Sequence, residues 1–354
     1  MLEKHSATVI GAGIAGLQAS LDLANNGFKV YLIERQPQIG GTVLKLSKLF
    51  PALKNADDVI KPMIESVGSN PNIKILTKSQ IQNVQGSIGN FKVKVAGQQR
   101  EEINADVIIV ATGFSQYDAK KVGQYRYGQY RNVITGLEYE QMCNPNGPTK
   151  GKIVRLDNGE KPKSVVYVLC VGSRDEKHLR YCCNIGCLNA IKHAYLLREQ
   201  YGKEVDAYVC YIDVRAVTKK AEQFYNQVRA MEVEFIHGQP SEVREAKDGT
   251  LTLDVYDQAT SKLMSITADL IVLEVGLPPQ TDLKDVLKLP LDEDGFFSEK
   301  NAQLEVNETP VKGIFLAGAV QQPMRTNEAV VSASAAVLKA ISAVKSVRKE
   351  MQNE

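Results

Sequence analysis

The stretch ATVIGAGIAGLQASLDLANNGFKVYLIE, residues 7–34, predicts the architecture of the first part of the chain. A short apolar run, Ala7 to Ile10, leads into three glycines, and a helix-like stretch follows from Leu17 to Asn26. Gly11 allows a tight turn, Gly13 lets the backbone approach a pyrophosphate, and Gly16 lets the helix pack close to the strand. The pattern of strand, turn and helix therefore predicts a phosphate site at the positive end of a helix.

The residues after this helix extend the same pattern. Gly27 is placed to end the helix, and Phe28 to Ile33 supply a second buried strand that ends at Glu34. Glu34 follows Gly16 at a spacing close to that of the acid that hydrogen-bonds a ribose hydroxyl. We therefore expect a doubly wound α/β domain with a dinucleotide site, the alternative being that the glycines serve packing alone.

Bulk properties limit the class of protein. The 354 residues exceed the usual size of one hydrophobic core, so we expect two domains. A net charge of +2 without a long basic run argues against a nucleic-acid partner. The sequence predicts no transmembrane segment and no signal peptide, which favours a cytoplasmic protein. Six cysteines are present, four of them between residues 170 and 187, a clustering that in a cytoplasmic chain indicates metal binding or redox chemistry.

The continuation Arg35-Gln-Pro-Gln-Ile-Gly40-Gly41 resembles that of the two-dinucleotide-binding-domain flavoproteins, the disulfide reductase superfamily. This resemblance implies FAD as cofactor and two Rossmann-like doubly wound domains of the thioredoxin reductase type. Two further segments match: DVIIVATG at 106–113, with Thr112 and Gly113, and GIFLAG at 313–318, with Gly318.

The second of these segments leads into a predicted helix that extends to about residue 347. Ala319 stands where the superfamily usually has aspartate, so one expected ribityl hydrogen bond is missing, and Gln321 follows in the same loop. The resemblance implies that the helix N-terminus points at the flavin and favours its reduced, anionic form. The alternative is a helix that only packs.

A second domain begins near Ser164 with the strand Val165 to Leu169. Where the superfamily binds NAD(P)H, the chain has Cys170-Val-Gly172-Ser-Arg174, with a single glycine. We therefore expect no NAD(P)H site in this domain. The predicted organisation is a discontinuous FAD domain, residues 1–150 and 285–354, with an inserted second domain, residues 151–284.

The cysteine-rich segment CVGSRDEKHLRYCCNIGC, residues 170–187, precedes a helix, and Cys183 and Cys187 are spaced to share one helix face. A helix N-terminus and nearby Lys177, Arg180 and Lys192 would favour thiolates. The spacing leaves three possibilities open. They are a [4Fe-4S] cluster, a redox-active dithiol such as Cys183 with Cys187, and structural zinc.

The same segment resembles that of heterodisulfide reductase A subunits, in which CVGSR and YCxxxCC hold a [4Fe-4S] cluster near FAD. The resemblance carries ligand roles onto Cys170, Cys182 and Cys187, and it places Gly186 where the family has a third cysteine. Cys183 or Cys143 would supply the missing ligand. Further agreement lies in LFP at 49–51, GPTKGKI at 147–153, LEVGLPP at 273–279 and GIFLAGAVQ at 313–321.

The short chain best resembles the A subunits of heterodisulfide reductase-like complexes of cytoplasmic sulfur oxidation. This implies an electron-transfer flavoprotein, a homodimer, with partner subunits resembling the B and C subunits. No side chain is predicted to act as a catalytic acid or base. Alternatives are the related subunit of quinone-interacting oxidoreductases, a free-standing flavin disulfide reductase and a redox-sensing flavoprotein. We interpret the four histidines as surface or packing residues and Cys210 as a buried core thiol.

Overall fold

A computed structural model describes residues 5–98 and 100–353 of the chain. Its residues form two compact units. The first unit contains residues 1–44, 56–115 and 278–354, and the second contains residues 45–55 and 116–277. The predicted boundaries of the FAD domain and the inserted domain, at residues 150 and 284, stay a prediction. The two compact units do not show which residues bind a cofactor.

Strands and helices alternate along both units. The strands are β1 (Ser6–Ile10), β2 (Lys29–Ile33), β3 (Lys48–Leu49), β4 (Lys54–Asn55), β5 (Ile73–Leu76), β6 (Ser79–Gln85), β7 (Phe91–Gly97), β8 (Glu101–Ala105), β9 (Val107–Val110), β10 (Val133–Thr135), β11 (Ser164–Val171), β12 (Asp206–Tyr211), β13 (Glu234–His237), β14 (Arg244–Glu245), β15 (Leu251–Asp257), β16 (Lys262–Ala268), β17 (Leu270–Val275) and β18 (Ile314–Leu316). The α-helices are α1 (Ile14–Asn25), α2 (Ala56–Ser69), α3 (Gly136–Cys143), α4 (Gly186–Tyr201), α5 (Ala221–Ala230), α6 (Lys284–Leu287) and α7 (Thr326–Asn353). Short 3-10 helices cover Gly41–Lys45, Ala119–Lys121 and Gly123–Tyr125.

The first unit is built on a parallel five-stranded sheet in the order β18-β9-β1-β2-β5. Ala7 pairs with Val30 on one side and Val107 on the other, which makes β1 a central strand. All four residues of β9 are buried, as expected for a parallel strand covered on both faces. The antiparallel strands β6, β7 and β8 form a separate small sheet.

Helix α7 packs against α1 in the first unit. Its buried positions carry small and β-branched side chains, among them Ala333, Val337 and Ala340. By length and composition alone, its segment Thr326–Val347 is apolar enough to cross a membrane. Such a segment is weak evidence for a membrane span, because the core helix of a globular protein has the same composition.

The second unit has its own parallel sheet, in the order β10-β17-β11-β12-β13. Strands β11 and β17 are almost wholly buried. A three-stranded antiparallel sheet, β14-β15-β16, and the short pair β3-β4 complete this unit. Two doubly wound α/β units were predicted, and the structure confirms that fold class.

The start of α4 bears on the predicted placement of the cysteines. The helix begins at Gly186. Cys183 therefore precedes the helix, and the prediction that it shares a helix face with Cys187 is wrong. Strand β12 ends at Tyr211, and beyond it the Asp213 carbonyl oxygen lies 3.7 Å from the Cys187 sulfur.

Candidate functional site

The glycine-rich turn between β1 and α1 has no room for side chains at two of its glycines. Gly11 has φ +97°, and a Cβ there would lie 2.4 Å from the carbonyl oxygen of Ala111. A Cβ at Gly16 would lie 1.8 Å from the carbonyl oxygen of Gly11. These glycines bring the helix against the strands, as the motif predicted.

The third glycine faces open space. A Cβ at Gly13 would meet nothing within 4 Å, and Gly13 caps α1 without a side-chain hydrogen bond. Because glycine has no side chain, the cap residue leaves the first backbone N–H groups of α1 without a side-chain acceptor. Free N–H groups at a helix N-terminus favour an anionic phosphate. Gly41 approaches the turn closely, since a Cβ there would lie 2.8 Å from the Gly13 Cα. Gly40 donates its N–H to the Ala12 carbonyl oxygen at 2.7 Å.

Glu34 holds the turn from the end of β2. Its buried carboxylate accepts hydrogen bonds from the N–H groups of Ala12 and Gln36, both at 2.8 Å. The carboxylate therefore fixes the backbone of the turn beside Gly13.

Thr112 and Gly113 follow β9 at the same edge of the sheet. Gly113 has φ +73°, and the Thr112 hydroxyl donates to the Gln280 carbonyl oxygen at 2.8 Å. Arg35 lies 47% exposed, where it pairs with Asp282 at 3.0 Å and contacts the Gln280 side chain. These contacts tie residue 35 to the segment after Pro278 within the first unit.

Gly318 and Gln321 belong to a buried polar network that the sequence did not reveal. The Gly318 N–H and the Gln321 side-chain amide both donate to the Ser332 hydroxyl oxygen, at 3.0 and 2.9 Å. Asn307 donates to the same oxygen at 2.9 Å. Ser332 lies on α7 behind the turn, so the network fixes the backbone of Gly318, whose φ is +72°.

At the N-terminus of α7, a side chain from the first turn of the helix accepts a backbone N–H. The Glu328 carboxylate accepts the Arg325 N–H at 2.8 Å and also pairs with the Arg325 guanidinium. An acidic group near a helix N-terminus is stabilised by the helix dipole.

The open cradle at Gly13 and the polar loop at Gly318 together fit the diphosphate and ribityl parts of FAD.

In the second unit, an aromatic ring covers the glycine that remains after β11. A Cβ at Gly172 would lie 2.3 Å from Cδ1 of Tyr117, and the Tyr117 hydroxyl lies 2.6 Å from Nδ1 of His178. The ring occupies the space where a pyrophosphate would approach a Rossmann turn.

Cys182 and Cys183 form an adjacent pair of thiols just before α4. The Asn184 N–H donates to the Cys182 sulfur, and the Gly186 N–H donates to the Cys183 sulfur, each at 3.3 Å. A hydrogen bond from the Cys183 thiol, helped by the Asn184 N–H and two arginines, lowers the pKa of Cys182 to about 5. The same hydrogen bond, together with burial, raises the pKa of Cys183. The pair therefore favours a thiolate on Cys182 over one on Cys183.

Cys170 and Cys187 share this environment. Burial raises the pKa of the Cys170 thiol to about 11, and negative charge on Cys187 and Cys182 adds to the rise. Burial also raises the pKa of the Cys187 thiol. Cys170, the last but one residue of β11, has φ +59°. Cys182 thus acts electrostatically on Cys170 and Cys187, and it is hydrogen-bonded to Cys183.

Cys143 lies elsewhere in the second unit. Its thiol is buried on α3, and burial together with the Glu140 carboxylate raises its pKa. Lys192 and Lys48 are the next strongest influences on it. Cys210 is fully buried in β12, which confirms its interpretation as a core thiol.

The donor chemistry of the four thiols fits a [4Fe-4S] cluster, which takes thiolate ligands and backbone N–H donors to sulfur. Within residues 5–98 and 100–353, no three or more His, Cys, Asp and Glu side chains are arranged to hold a metal ion.

Four buried charged side chains lie beneath the cysteine loop, and local sequence patterns hardly indicate them. Nε2 of His193 lies 2.6 Å from Glu140, and its Nδ1 lies 2.9 Å from Glu274. Lys192 also pairs with Glu140. His193 is 0% exposed, and its interpretation as a surface or packing residue missed its pairing with two carboxylates. The one available signal was the pair Lys192-His193 within an apolar helical stretch.

Comparison with known proteins places the chain among flavin-dependent oxidoreductases. It matches the pyridine nucleotide-disulphide oxidoreductase family over residues 5–173 and 188–336. It is 34% identical to an iron-sulfur A subunit of the CoB–CoM heterodisulfide reductase of Methanopyrus kandleri, over 95% of this chain and 64% of that protein. It is also 34% identical to the A-type subunit of the H(2):CoB-CoM heterodisulfide,ferredoxin reductase of Methanothermobacter marburgensis, over 98% of this chain and 65% of that protein.

The chain spans a little under two thirds of the length of these curated relatives. The alignment with the Methanopyrus protein covers 426 positions, more than the 354 residues of this chain, so that relative carries inserted residues. Among solved structures, the thioredoxin reductase of T. acidophilum is similar with a TM-score of 0.65 and 18% identity. That similarity covers 96% of this chain and 99% of the reductase, and it shows the fold alone.

Proposed function

The chain belongs to the pyridine nucleotide-disulphide oxidoreductase family, and from this premise we propose that it is an FAD-containing electron-transfer subunit of a heterodisulfide reductase-like complex. The observation that carries the proposal is the pairing of an open dinucleotide cradle in one unit with four interacting thiols in the other. The similarity to heterodisulfide reductase A subunits supports it.

FAD would be held by residues of the first unit. Its diphosphate would lie at the N-terminus of α1 beside Gly13, with Gly11 and Gly16 shaping the turn and Glu34 at the ribose. The further contacts proposed are Arg35, Gly40, Gly41, Thr112, Gly113, Gly318 and Gln321. When bound, the flavin supplies one-electron and two-electron chemistry. The chain's own residues position it and exclude water.

A [4Fe-4S] cluster would be held in the second unit by Cys170, Cys182, Cys183 and Cys187. Cys183 is favoured over Cys143 as the fourth ligand, because Cys183 is hydrogen-bonded to Cys182, whereas Cys143 is most strongly influenced by Glu140 and Lys192. The Tyr117 ring over Gly172 supports the further proposal that this unit does not take NAD(P)H.

The sulfur chemistry would take place on partner subunits that resemble the B and C subunits. Within the chain, no side chain is assigned a catalytic role. We place the complex in the cytoplasm, in the oxidation of sulfane sulfur or thiols, with the chain as a homodimer.

A second candidate function is that of a free-standing flavin disulfide reductase. The thiol–thiolate pair of Cys182 and Cys183 favours it, because a reactive dithiol requires one sulfur with a lowered pKa. This pair differs from the predicted dithiol of Cys183 with Cys187.

Oxygen-free purification separates the two functions. The cluster predicts about four iron and four sulfide per chain, together with FAD. Replacement of Cys170, Cys182 or Cys187 by serine should remove the iron, whereas Cys143→Ser should retain it. Cys210→Ser is the matched control, since Cys210 is a buried thiol away from the loop. A yellow, iron-free protein that NADPH reduces rapidly would refute the electron-transfer proposal and support the reductase.

A further inference from the structure

His193 is held between two carboxylates in the interior of the second unit. Its Nε2 lies 2.6 Å from Glu140 Oε1, and its Nδ1 lies 2.9 Å from Glu274 Oε1. All three side chains are 5% exposed or less. Burial lowers the pKa of His193, but the charges of Glu274 and Glu140 outweigh burial and raise it. Both ring nitrogens therefore lie within ion-pair distance of a carboxylate, and the two carboxylates favour the protonated ring.

The two carboxylates have different surroundings. Glu140 also accepts the Ser47 N–H at 2.8 Å and pairs with Lys192, so its charge is offset from three sides. Glu274 has His193 as its ion-pair partner, and its Oε1 satisfies no hydrogen-bond geometry. Among the described residues, Glu274 therefore has one ion-pair partner, whereas Glu140 has two.

The cysteine loop lies beside Glu274. A Cβ at Gly186, the first residue of α4, would be 3.4 Å from the Glu274 Cβ and 3.0 Å from the Cys183 sulfur. A Cβ at Gly136, the first residue of α3, would be 2.6 Å from Glu274 Oε2. Glu274 therefore lies beside the first residues of α3 and α4, and its carboxylate lies at the N-terminus of α3, where the helix dipole favours a negative charge.

We propose that Glu274, held by His193, is a positioning residue whose fixed buried charge lowers the reduction potential of the redox group at Cys183 and Cys187. The inference rests on the proposed function, since it concerns the cluster that those thiols would hold. Net charge around the sulfurs is one of the properties that set cluster potentials. A buried negative charge opposes the arrival of an electron, so the reduced cluster becomes a stronger donor.

The size of the effect follows from Coulomb's law. At an effective dielectric constant of about 20, a unit charge within about 12 Å changes the equilibrium constant for adding an electron about tenfold. For a one-electron couple, a tenfold change corresponds to 59 mV. Replacing Glu274 by neutral glutamine should therefore raise the midpoint potential by about this amount.

Two variants that change the local charge in opposite directions distinguish an electrostatic role of Glu274 from a packing role. Glu274→Gln removes a negative charge and should raise the potential, whereas His193→Gln removes the compensating positive charge and should lower it. A purely structural role predicts that both variants loosen the loop and shift the potential in the same direction or not at all. Asp269→Asn is the matched control, because Asp269 is a buried carboxylate at the opposite end of β17, paired with Arg155 at 2.9 Å.

The experiment is an EPR-monitored redox titration of the four oxygen-free proteins, with iron content and flavin absorbance measured on the same samples. Opposite shifts in the two variants, with Asp269→Asn unchanged, support the inference. Iron-loaded variants with unshifted potentials, or with shifts of the same sign, overturn it and leave the proposed function intact. An iron-free wild-type protein overturns both the inference and the proposed function. Glu274→Asp should restore part of the wild-type potential.

Discussion

Replacement of Glu140 by glutamine tests whether the buried charges of the second unit stabilise the fold. Burial alone would raise the pKa of this carboxyl, but the charges of Lys192 and His193 lower it from 4.5 to about 2. Each pKa unit corresponds to 1.36 kcal/mol of preference for the charged form. The paired carboxylate therefore stabilises the folded state by about 3 kcal/mol. That value agrees with the roughly 3–5 kcal/mol lost when one member of a buried ion pair is removed.

The sign of the pH dependence follows from the direction of the shift. Because the folded pKa is depressed, the stabilisation is fully present above the unfolded pKa of 4.5 and is lost as pH falls toward about 2. The difference between wild type and Glu140→Gln should be constant from pH 7 to pH 5 and shrink below pH 4.5.

Urea unfolding of the second unit, followed at several pH values, measures this difference. Hydrogen exchange of α4 amides reports on the unit that carries the mutation. Glu199→Gln is the control, because Glu199 lies on α4, beside the buried charges, but is 40% exposed in its pair with Lys48. An exposed pair contributes about 0–1 kcal/mol. A loss below about 1 kcal/mol in Glu140→Gln, or one that grows in acid, would refute the reasoning.

Three further predictions concern the turn, the thiols and a helix cap. Gly16→Ala should abolish flavin binding, measured by the absorbance of the purified protein, because its Cβ would lie 1.8 Å from a carbonyl oxygen. Gly68→Ala, in open space on α2, should instead stabilise the fold by up to about 1 kcal/mol. In iron-free protein, iodoacetamide at pH 6 should alkylate Cys182 rapidly, and Cys183→Ala should slow that reaction by removing the hydrogen bond that lowers the pKa. Thr135→Ala, which breaks the capping box of α3, should cost about 1 kcal/mol in urea unfolding.

Much of the fold follows from local pattern. The glycine spacing, the apolar strands and Glu34 predicted the first unit correctly, because each depends on neighbouring residues and on the geometry of one turn. The resemblance to heterodisulfide reductase A subunits is confirmed by similarity along nearly the whole chain. The start of α4 at Gly186 could not be predicted, since helix starts depend on contacts made by the loop.

The order of residues was enough to predict a two-unit flavoprotein fold with a cysteine-rich loop after β11, because steric limits at glycine and the alternation of apolar segments are local properties. Which charges meet depends instead on how distant segments pack. Glu140, His193 and Glu274 are separated by 53 or more residues, and parallel strand pairing brings α3, α4 and β17 together. Burial then makes their charges strong, since the low dielectric of the interior depends on every segment packed around them.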